Sequence, residues 1–155
     1  MKNHCTLVLC VFFALSSLCS SAQNQKIPIT EPDYNKPLLF PDLPERIDIN
    51  PAGLQYLFQL KMGESVNIPF TATFIFQGQV VSTSLASDSN VKSIVIKCTN
   101  RIGARLTFTK VTNADASISY IGRIISLQHG DTFEIIHENG RYYFKKKGLY
   151  DLVND

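Results

Sequence analysis

The fold of this chain follows from the stretch Val66–Phe76, which reads VNIPFTATFIF. Apolar side chains occupy its even positions, and polar side chains occupy most of its odd positions. Successive side chains of a β-strand point to opposite faces of the sheet, so this alternation predicts one apolar face and one solvated face. A helix would distribute the same apolar groups around its circumference. The stretch therefore predicts a single half-buried β-strand.

Later segments repeat the alternation between turn-forming residues. Gln77-Gly78-Gln79 predicts a turn or bulge, because glycine tolerates positive φ, and a second strand should follow from Val80 to Leu85. Polar loops and glycines separate three further segments: Val91–Thr99, Ala104–Phe108 and Ser117–Leu127. The connections are too short for crossover helices. The sequence therefore predicts an all-β, mostly antiparallel sandwich or small barrel of about seven short strands, with at most one or two short helices.

The C-terminal hairpin has the strongest local signal. Asn139-Gly140 is typical of a type I′ turn, in which both central residues need positive φ. A two-residue turn at this place sets four opposite pairs: Glu138–Arg141, His137–Tyr142, Ile135–Phe144 and Glu134–Lys145. Opposite charges then face each other on one side of the hairpin, and apolar or aromatic side chains share the other. We therefore expect ion pairs from Glu134 to Lys145 and from Glu138 to Arg141. Lys146 falls on the apolar side, where we expect its stem to snorkel.

Residues 1–22 have the composition of a signal peptide. Lys2 precedes an apolar run from Thr6 to Leu15, and Ser20-Ser21-Ala22 supplies the small residues of a cleavage site. The apolar run is shorter than the about 20 residues that a membrane-spanning helix needs, so we expect no transmembrane span. The sequence predicts export to the periplasm or the extracellular space, with cleavage before Gln23.

Cysteine usage favours a bacterial source. Three of the four cysteines lie in residues 1–22, so cleavage leaves Cys98 alone and no intramolecular disulfide is possible. The chain also contains no Asn-x-Ser/Thr acceptor with a non-proline middle residue. Exported eukaryotic domains usually carry disulfides or such acceptors. We expect a bacterial exported protein.

Residues 23–50 are rich in proline and predict an extended arm ahead of a single β-rich domain at residues 51–155. Proline fixes its own φ and biases the preceding residue toward extended conformations. The arm carries four large apolar residues: Leu38, Leu39, Phe40 and Leu43. Large apolar patches are uncommon on soluble monomers, so we favour packing across an open end of the sheet over a partner-binding arm.

Asn50-Pro51 predicts the start of a short helix, with asparagine as the N-cap and proline at the first helical position. Apolar side chains follow at helical spacing: Leu54, Leu57 and Phe58. The same segment also alternates between apolar and polar residues. A strand that pairs with Val66–Phe76 therefore remains the alternative for residues 51–61.

Charge and motifs limit the possible functions. The net charge is +2 and basic residues are interspersed with acidic ones, whereas nucleic-acid binding needs clustered phosphate contacts. The sequence has no Gly-x-Ser-x-Gly elbow, no His-Glu-x-x-His motif, no phosphate-binding loop and no dinucleotide fingerprint. We expect neither a nucleic-acid partner nor a cofactor, and we favour a binding role over an enzyme.

One polar cluster has residue types that bind metals: His129, Asp131, Glu134 and His137. An unbroken strand over these positions would place His129, Asp131 and His137 on one face, where imidazole and carboxylate groups bind divalent ions. His129-Gly130-Asp131 is, however, typical of a turn that opens the hairpin. In the interpretation that we favour, Asp131 caps this turn and His137 packs against Tyr142.

Cys98 and four tyrosines are further candidates. A cysteine nucleophile needs a nearby base, but Ile94 and Ile96 share the predicted strand face of Cys98, so we expect a small core residue. Four tyrosines are candidates for an aromatic platform that binds a glycan or a peptide: Tyr120, Tyr142, Tyr143 and Tyr150. Aromatic residues in β domains more often belong to the core, which is the interpretation that we favour.

Several strand and turn residues resemble those of a known family. The pattern comprises Phe74-x-Phe76-x-Gly78-x-Val80, Ser93-x-Val95, Gly122-x-Ile124 and Phe133-x-Ile135. It resembles the strand order in the β-rich prodomains of secreted reprolysin-type metalloproteases. The resemblance implies a non-catalytic module that docks on another protein, and it assigns no functional residue.

Together these observations predict a non-enzymatic exported domain that binds another protein or an envelope glycan. Recognition through an exposed strand edge is one possible mode. The alternative is a small metal-binding protein or hydrolase that uses the cluster of His129, Asp131 and His137.

Overall fold

Eight β-strands form one antiparallel sheet in the computed structural model, which describes residues 33–84 and 90–152. The strands are β1 (Arg46–Ile49), β2 (Ser65–Pro69), β3 (Ile75–Thr83), β4 (Val91–Cys98), β5 (Arg105–Thr112), β6 (Ile118–Ile125), β7 (Asp131–Glu138) and β8 (Arg141–Gly148). Two 3₁₀ helices accompany them, η1 (Pro51–Gln59) and η2 (Leu149–Leu152). The strand order across the sheet is β1-β8-β7-β6-β5-β4-β3-β2, a meander whose last strand pairs with the first.

The sheet curls into a half-barrel. Phe70 directly follows the edge strand β2, and its ring centroid lies 5.1 Å from that of Phe144 on β8, next to the opposite edge. The concave inner face holds the core, and the convex outer face is largely solvated. The predicted all-β antiparallel class is confirmed, with eight strands where about seven were expected; of the two predicted architectures, sandwich or small barrel, the half-barrel is closer to the barrel.

The stretch Val66–Phe76 is two strands and a turn, so the prediction of one strand was wrong. Residues 71–73 form the turn, and the Thr71 hydroxyl accepts a hydrogen bond from the Phe74 amide at 2.9 Å. The predicted inward face is nevertheless correct except at Ala72, which is exposed in the turn: Val66, Ile68, Phe70, Phe74 and Phe76 are all buried. The reason is the register, because Ile68 pairs with Phe76 and even positions therefore oppose even positions.

The predicted turn or bulge at Gln77–Gln79 is also wrong in its position, because β3 continues through Gly78. A Cβ atom on Gly78 would lie 2.4 Å from Ile96 Cγ2 and 2.8 Å from the Lys97 carbonyl oxygen. Glycine is required there by close contact with β4, not by a reversal of the chain. The irregularity occurs later, as a register shift between Val80 and Ser82. Leu85, the predicted end of a second strand, lies outside the described residues.

The proline-rich segment closes the end of the half-barrel at which β7 begins. Leu39, Phe40 and Leu43 are buried in the core, as predicted, whereas Leu38 is 57% exposed. Residues 46–49 of the same segment form β1 and pair with β8. The predicted signal peptide, residues 1–22, and residues 23–32 lie outside the described part of the chain.

A helix at residues 51–59 is confirmed over the alternative strand. The side chain of Asn50 accepts a hydrogen bond from the Ala52 amide at 3.1 Å, and Pro51 occupies the first helical position. Leu57 is fully buried, and Leu54 and Phe58 pack against the core. The helix therefore fills the concave side of the sheet. Within the described residues, no helix combines the length and the apolar composition that crossing a membrane requires.

The C-terminal hairpin has the predicted register at all four pairs. Asn139 and Gly140 have φ values of 52° and 73°, as a type I′ turn requires. The predicted ion pairs are replaced by others. Glu134 pairs with Arg123 of β6 and with Lys147, and Glu138 accepts a hydrogen bond from the Tyr143 hydroxyl. Arg123 lies on a third strand, β6, so a prediction made from the two strands of the hairpin alone does not include it.

Candidate functional site

A row of aromatic side chains crosses the inner face at the end of the sheet where β4, β6 and β8 begin. We call this end the rim, and the aromatic row comprises Phe58, Phe108, Tyr120, Tyr142 and His137. Because the whole sheet is antiparallel, every second strand begins at the rim and the strands between them end there. At the opposite end, Leu39, Phe40 and Leu43 of the proline-rich segment are buried in the core.

The rings of the aromatic row are in sequential contact. Phe58 stacks on Phe108 with centroids 5.1 Å apart, and Phe108 stacks on Tyr120 at 5.7 Å. Tyr120 meets Tyr142 edge to face at 5.5 Å, and Tyr142 stacks on His137 at 4.2 Å. Burial is greatest at Phe108 and decreases to the half-buried Phe58 on one side and to the half-buried tyrosines and the exposed His137 on the other. The row thus passes through the edge of the core and reaches the surface at His137.

The backbone separates where the two tyrosines meet. In the described part of the chain, β6 and β7 pair only at Arg123–Glu134 and Ile124–Phe133. Between these two pairs and the rim, β6 and β7 form no further backbone pairing in the described residues. The strand pairs β5–β6 and β7–β8 remain paired there. Tyr120 and Tyr142 contact each other across this separation. The Gln55 side-chain amide also donates a hydrogen bond to the Tyr120 hydroxyl at 3.0 Å, which fixes that ring.

Two concavities flank the aromatic row. One has a volume of about 310 Å³ and is lined by Asp48, Asn50, Arg141 and Tyr142, among others. The other has a volume of about 220 Å³ and is lined by Phe58, Thr83, Ser84, Lys92 and Ser93. The rim therefore presents apolar ring faces between two polar hollows, a combination typical of binding sites that orient a ligand with a few polar groups.

The structure does not bring the predicted metal cluster together. Asp131 and His137 lie at opposite ends of β7, about 20 Å apart at the usual rise per residue. Asp131 is buried and accepts hydrogen bonds from the Leu39 and Phe40 amides at 2.6 and 2.8 Å. Among residues 33–84 and 90–152, no three His, Cys, Asp or Glu side chains are placed to share a metal ion.

His129 and His137 each contact a residue that is near them in the sequence. His129 Nδ1 lies 2.8 Å from the Ser126 hydroxyl in the turn before β7, so the predicted turn is confirmed. The predicted capping role of Asp131 within that turn is wrong, because its carboxylate holds the proline-rich segment instead. His137 packs on Tyr142, as predicted.

Cys98 occupies the predicted core position. Its side chain is buried, and the Sγ atom donates a hydrogen bond to Asn100 Oδ1 at 3.1 Å. Burial raises the pKa of the Cys98 thiol, and this outweighs the hydrogen bonds and the charge of Arg101, which act in the opposite direction. A raised pKa disfavours the thiolate, which is the nucleophilic form.

The four candidate tyrosines lie in three different parts of the structure. Only Tyr120 and Tyr142 join the aromatic row. Tyr143 points to the outer face, where the Arg46 guanidinium lies 3.7 Å from its ring centroid, and its hydrogen bond to Glu138 raises its pKa. Tyr150 pairs with Tyr34 at 4.8 Å, beyond the end of β8 that lies opposite the rim. The four tyrosines therefore form no common platform, and Tyr120 and Tyr142 pack against the core, as the favoured interpretation expected.

Sequence reasoning missed four residues of the rim: Phe58, Phe108, Lys92 and Lys110. The alternation of inward and outward residues could have identified both lysines, because they have even numbers in strands whose even residues face inward. Phe58 had no comparable signal, because its contact with Phe108 joins a helix to a distant strand.

Comparisons with known proteins provide no relative. No protein-family model matches this chain, and neither a curated protein nor a solved structure matches it. The function must therefore be argued from the rim itself.

Proposed function

We propose that this protein is an exported, non-enzymatic binding domain that recognises a glycan at its rim. Export rests on the signal-peptide composition of residues 1–22. The binding role rests on one observation, the half-exposed end of the aromatic row at Tyr120, Tyr142 and His137. A contiguous apolar surface that remains accessible on a soluble protein is typical of a site that binds a ligand or a partner.

The chemistry of the aromatic row fits a sugar ring. One face of many sugars consists of C–H groups with a slight positive charge, and the face of an aromatic ring carries the complementary negative charge. The hydroxyl groups around the sugar need hydrogen-bonding partners, which the two flanking hollows supply. The contact between Gln55 and Tyr120 limits the motion of the ring before the ligand arrives, so little entropy is lost on binding.

A protein partner is the main alternative, and the resemblance to protease prodomains implies one. The strand edges give it less support. β1 has four residues, and β2 ends at Pro69, which has no amide hydrogen to donate. The Tyr56 hydroxyl is also within 3.5 Å of the Asn67 carbonyl on β2. Short edges that contain proline and are partly covered resist strand addition.

The metal-binding or hydrolytic alternative has no support from the geometry. Its three residues lie at both ends of β7, and the Asp131 carboxylate is occupied by two backbone amides. The glycan interpretation needs no residue to change its contacts.

Binding of oligosaccharides to the full-length protein tests the proposal. Calorimetry gives the affinity. The chain has six tyrosines and no tryptophan, so the part of the tyrosine emission that is lost in a Tyr142→Phe variant reports on the aromatic row. A stacking contact contributes about 0.5–1.5 kcal/mol, so His137→Ala should weaken binding about two- to tenfold. Tyr142→Phe should preserve the stacking interaction.

Tyr34→Ala is the matched control, since Tyr34 belongs to the aromatic pair at the other end of the sheet. It should leave affinity unchanged. If no oligosaccharide binds but a protein is captured and His137→Ala abolishes capture, the rim is a protein site and the glycan proposal is wrong.

A further inference from the structure

Two lysines face each other directly on the inner side of the rim. Lys92 of β4 and Lys110 of β5 are Cα partners in the antiparallel ladder, and Lys110 is in turn the partner of Tyr120 on β6. Side chains of opposite residues in an antiparallel pair lie close together on one face, and like charges in that position destabilise the sheet. Two positive charges therefore adjoin the aromatic row.

The described structure contains no acidic group that neutralises these lysines. Across residues 33–84 and 90–152, the ion pairs of the protein involve other basic side chains: Arg46, Arg101, Arg123, Lys146 and Lys147. Lys110 is also half-buried, so its charge is less screened by water than that of a fully exposed lysine. An unbalanced pair of charges on the inner face, next to accessible aromatic rings and with one member half-buried, is typical of a functional site.

The hollow beside Lys92 offers hydrogen-bond donors. Thr83, Ser84 and Ser93 line it together with Lys92 and the ring of Phe58. The Ser84 hydroxyl oxygen accepts from the Ser93 amide at 2.9 Å. A hydroxyl that accepts in this way retains its own hydrogen for donation. Hydroxyl donors and ammonium groups together suit an anionic oxygen.

We propose that this corner, formed by Lys92, Lys110, Thr83 and Ser84, binds the anionic group of an acidic sugar. The sugar ring then lies on the neighbouring aromatic row, so the ligand is an acidic glycan that carries carboxylate or sulfate groups. This inference rests on the proposed function, because it assigns the charge of the glycan that the rim recognises.

The outer face provides a matched control. Lys97 and Arg105 are also directly opposite basic partners on β4 and β5, but they lie on the convex side and away from the rim. If any pair of opposed basic residues attracted polyanions, Lys97→Gln would have the same effect as Lys92→Gln. The proposal predicts that it does not.

The test measures binding of four probes to the full-length protein: an oligouronate, a sulfated oligosaccharide, a neutral oligosaccharide and poly-glutamate. The oligouronate and the sulfated probe distinguish carboxylate from sulfate as the recognised group. Each charged hydrogen bond to the ligand is worth roughly a tenfold change in affinity. Lys92→Gln and Lys110→Gln should therefore each weaken acidic-glycan binding about tenfold, and Lys97→Gln should weaken it less than about twofold.

A second measurement does not depend on the affinity. Removal of one lysine relieves the repulsion, so Lys92→Gln should raise the melting temperature of the free protein. The acidic ligand should raise the melting temperature of the original protein more than that of the double variant Lys92→Gln/Lys110→Gln, because it binds the latter more weakly.

The outcomes separate the two proposals. Equal binding of the neutral and acidic probes, with no effect of Lys92→Gln, overturns the charge assignment and leaves the glycan site intact. Binding of poly-glutamate without binding of either acidic glycan overturns both and indicates an acidic protein partner. Binding of no probe at the rim also overturns both.

Discussion

Glycine at position 78 shows how one residue sets the packing of two strands. Its missing side chain lets β3 approach β4, because a Cβ atom would collide with Ile96 Cγ2 and with a backbone oxygen of Lys97 that cannot rotate away. Gly78→Ala should therefore lower the free energy of unfolding by about 1–3 kcal/mol, the usual cost of an overpacked core. Urea denaturation followed by circular dichroism measures this change.

Gly53→Ala is the control, since no atom lies within 4 Å of a Cβ at this helical position. Alanine there should raise stability by roughly 0.5–1 kcal/mol through lower entropy of the unfolded chain. If both alanine variants have the same stability, the steric account of Gly78 is incorrect.

Glu134 links stability to pH at the residue scale. Burial raises its pKa, but hydrogen bonds and charges from Lys147 and Arg123 together outweigh burial and hold the pKa below the usual value. A group with a depressed folded-state pKa stabilises the protein above its unfolded pKa, about 4.3 for glutamate, and loses that contribution as pH falls through the folded-state value. Glu134→Gln should therefore melt at a lower temperature than the original protein at neutral pH.

The difference in melting temperature should shrink as the pH falls below about 4.3. Glu45→Gln serves as the control, because Glu45 is exposed and lies 3.7 Å from its lysine partner. Its melting curve should follow that of the original protein at every pH. A gap for Glu134→Gln that stays constant across the titration would contradict the linkage.

At the scale of elements, a buried carboxylate fastens the proline-rich segment to the sheet. Asp131 accepts from two consecutive backbone amides, those of Leu39 and Phe40, and both bonds are buried. Asp131→Asn keeps one acceptor oxygen and loses the other together with the charge, so unfolding should become easier by roughly 1.5–3 kcal/mol. Limited proteolysis should also cut residues 33–45 sooner in this variant.

Asp42→Asn tests whether any aspartate near this segment has the same effect. Asp42 makes an exposed ion pair with Arg101, and such pairs contribute up to about 1 kcal/mol. We expect its proteolysis pattern to match that of the original protein. Equal cleavage of the Asp131→Asn and original proteins would show that burial of Leu39, Phe40 and Leu43 holds the segment without the carboxylate.

At the scale of the whole molecule, the curl of the sheet depends on contacts between its two sides. Phe70 contacts Phe74 and Phe76 near one edge and Phe144 near the other. Phe70→Ala should therefore destabilise the protein by about 3–5 kcal/mol, because it removes a large buried ring that contacts both sides of the sheet. Chemical denaturation measures the loss.

Ile102→Ala provides the comparison, as Ile102 is 81% exposed in a turn. Its effect should stay within about 0.5 kcal/mol. A loss below about 1 kcal/mol for Phe70→Ala would mean that the half-barrel keeps its shape without this contact.

The sequence by itself determined most of the strands, their inward faces and the C-terminal hairpin, but not β1 or the division between β2 and β3. These features depend on interactions between residues that are close along the chain: the period of two, the turn dipeptide Asn139-Gly140 and the cap at Asn50. It also misplaced one turn, which lies at Thr71 and not at Gly78, because close contact with β4 requires a glycine at position 78 within a continuous strand. The sequence of one strand does not show which atoms of the neighbouring strand will contact it.

Only the tertiary structure decided where the functional side chains meet. The sequence grouped His129, Asp131 and His137 because they are close in number, yet β7 holds Asp131 and His137 at opposite ends. Lys92, Lys110, Tyr120 and Tyr142 are distant in number, and they converge at the rim because their strands are neighbours or near neighbours in an antiparallel sheet. Strand order and register are set by the packing of the whole core, and for that reason a local pattern does not contain them.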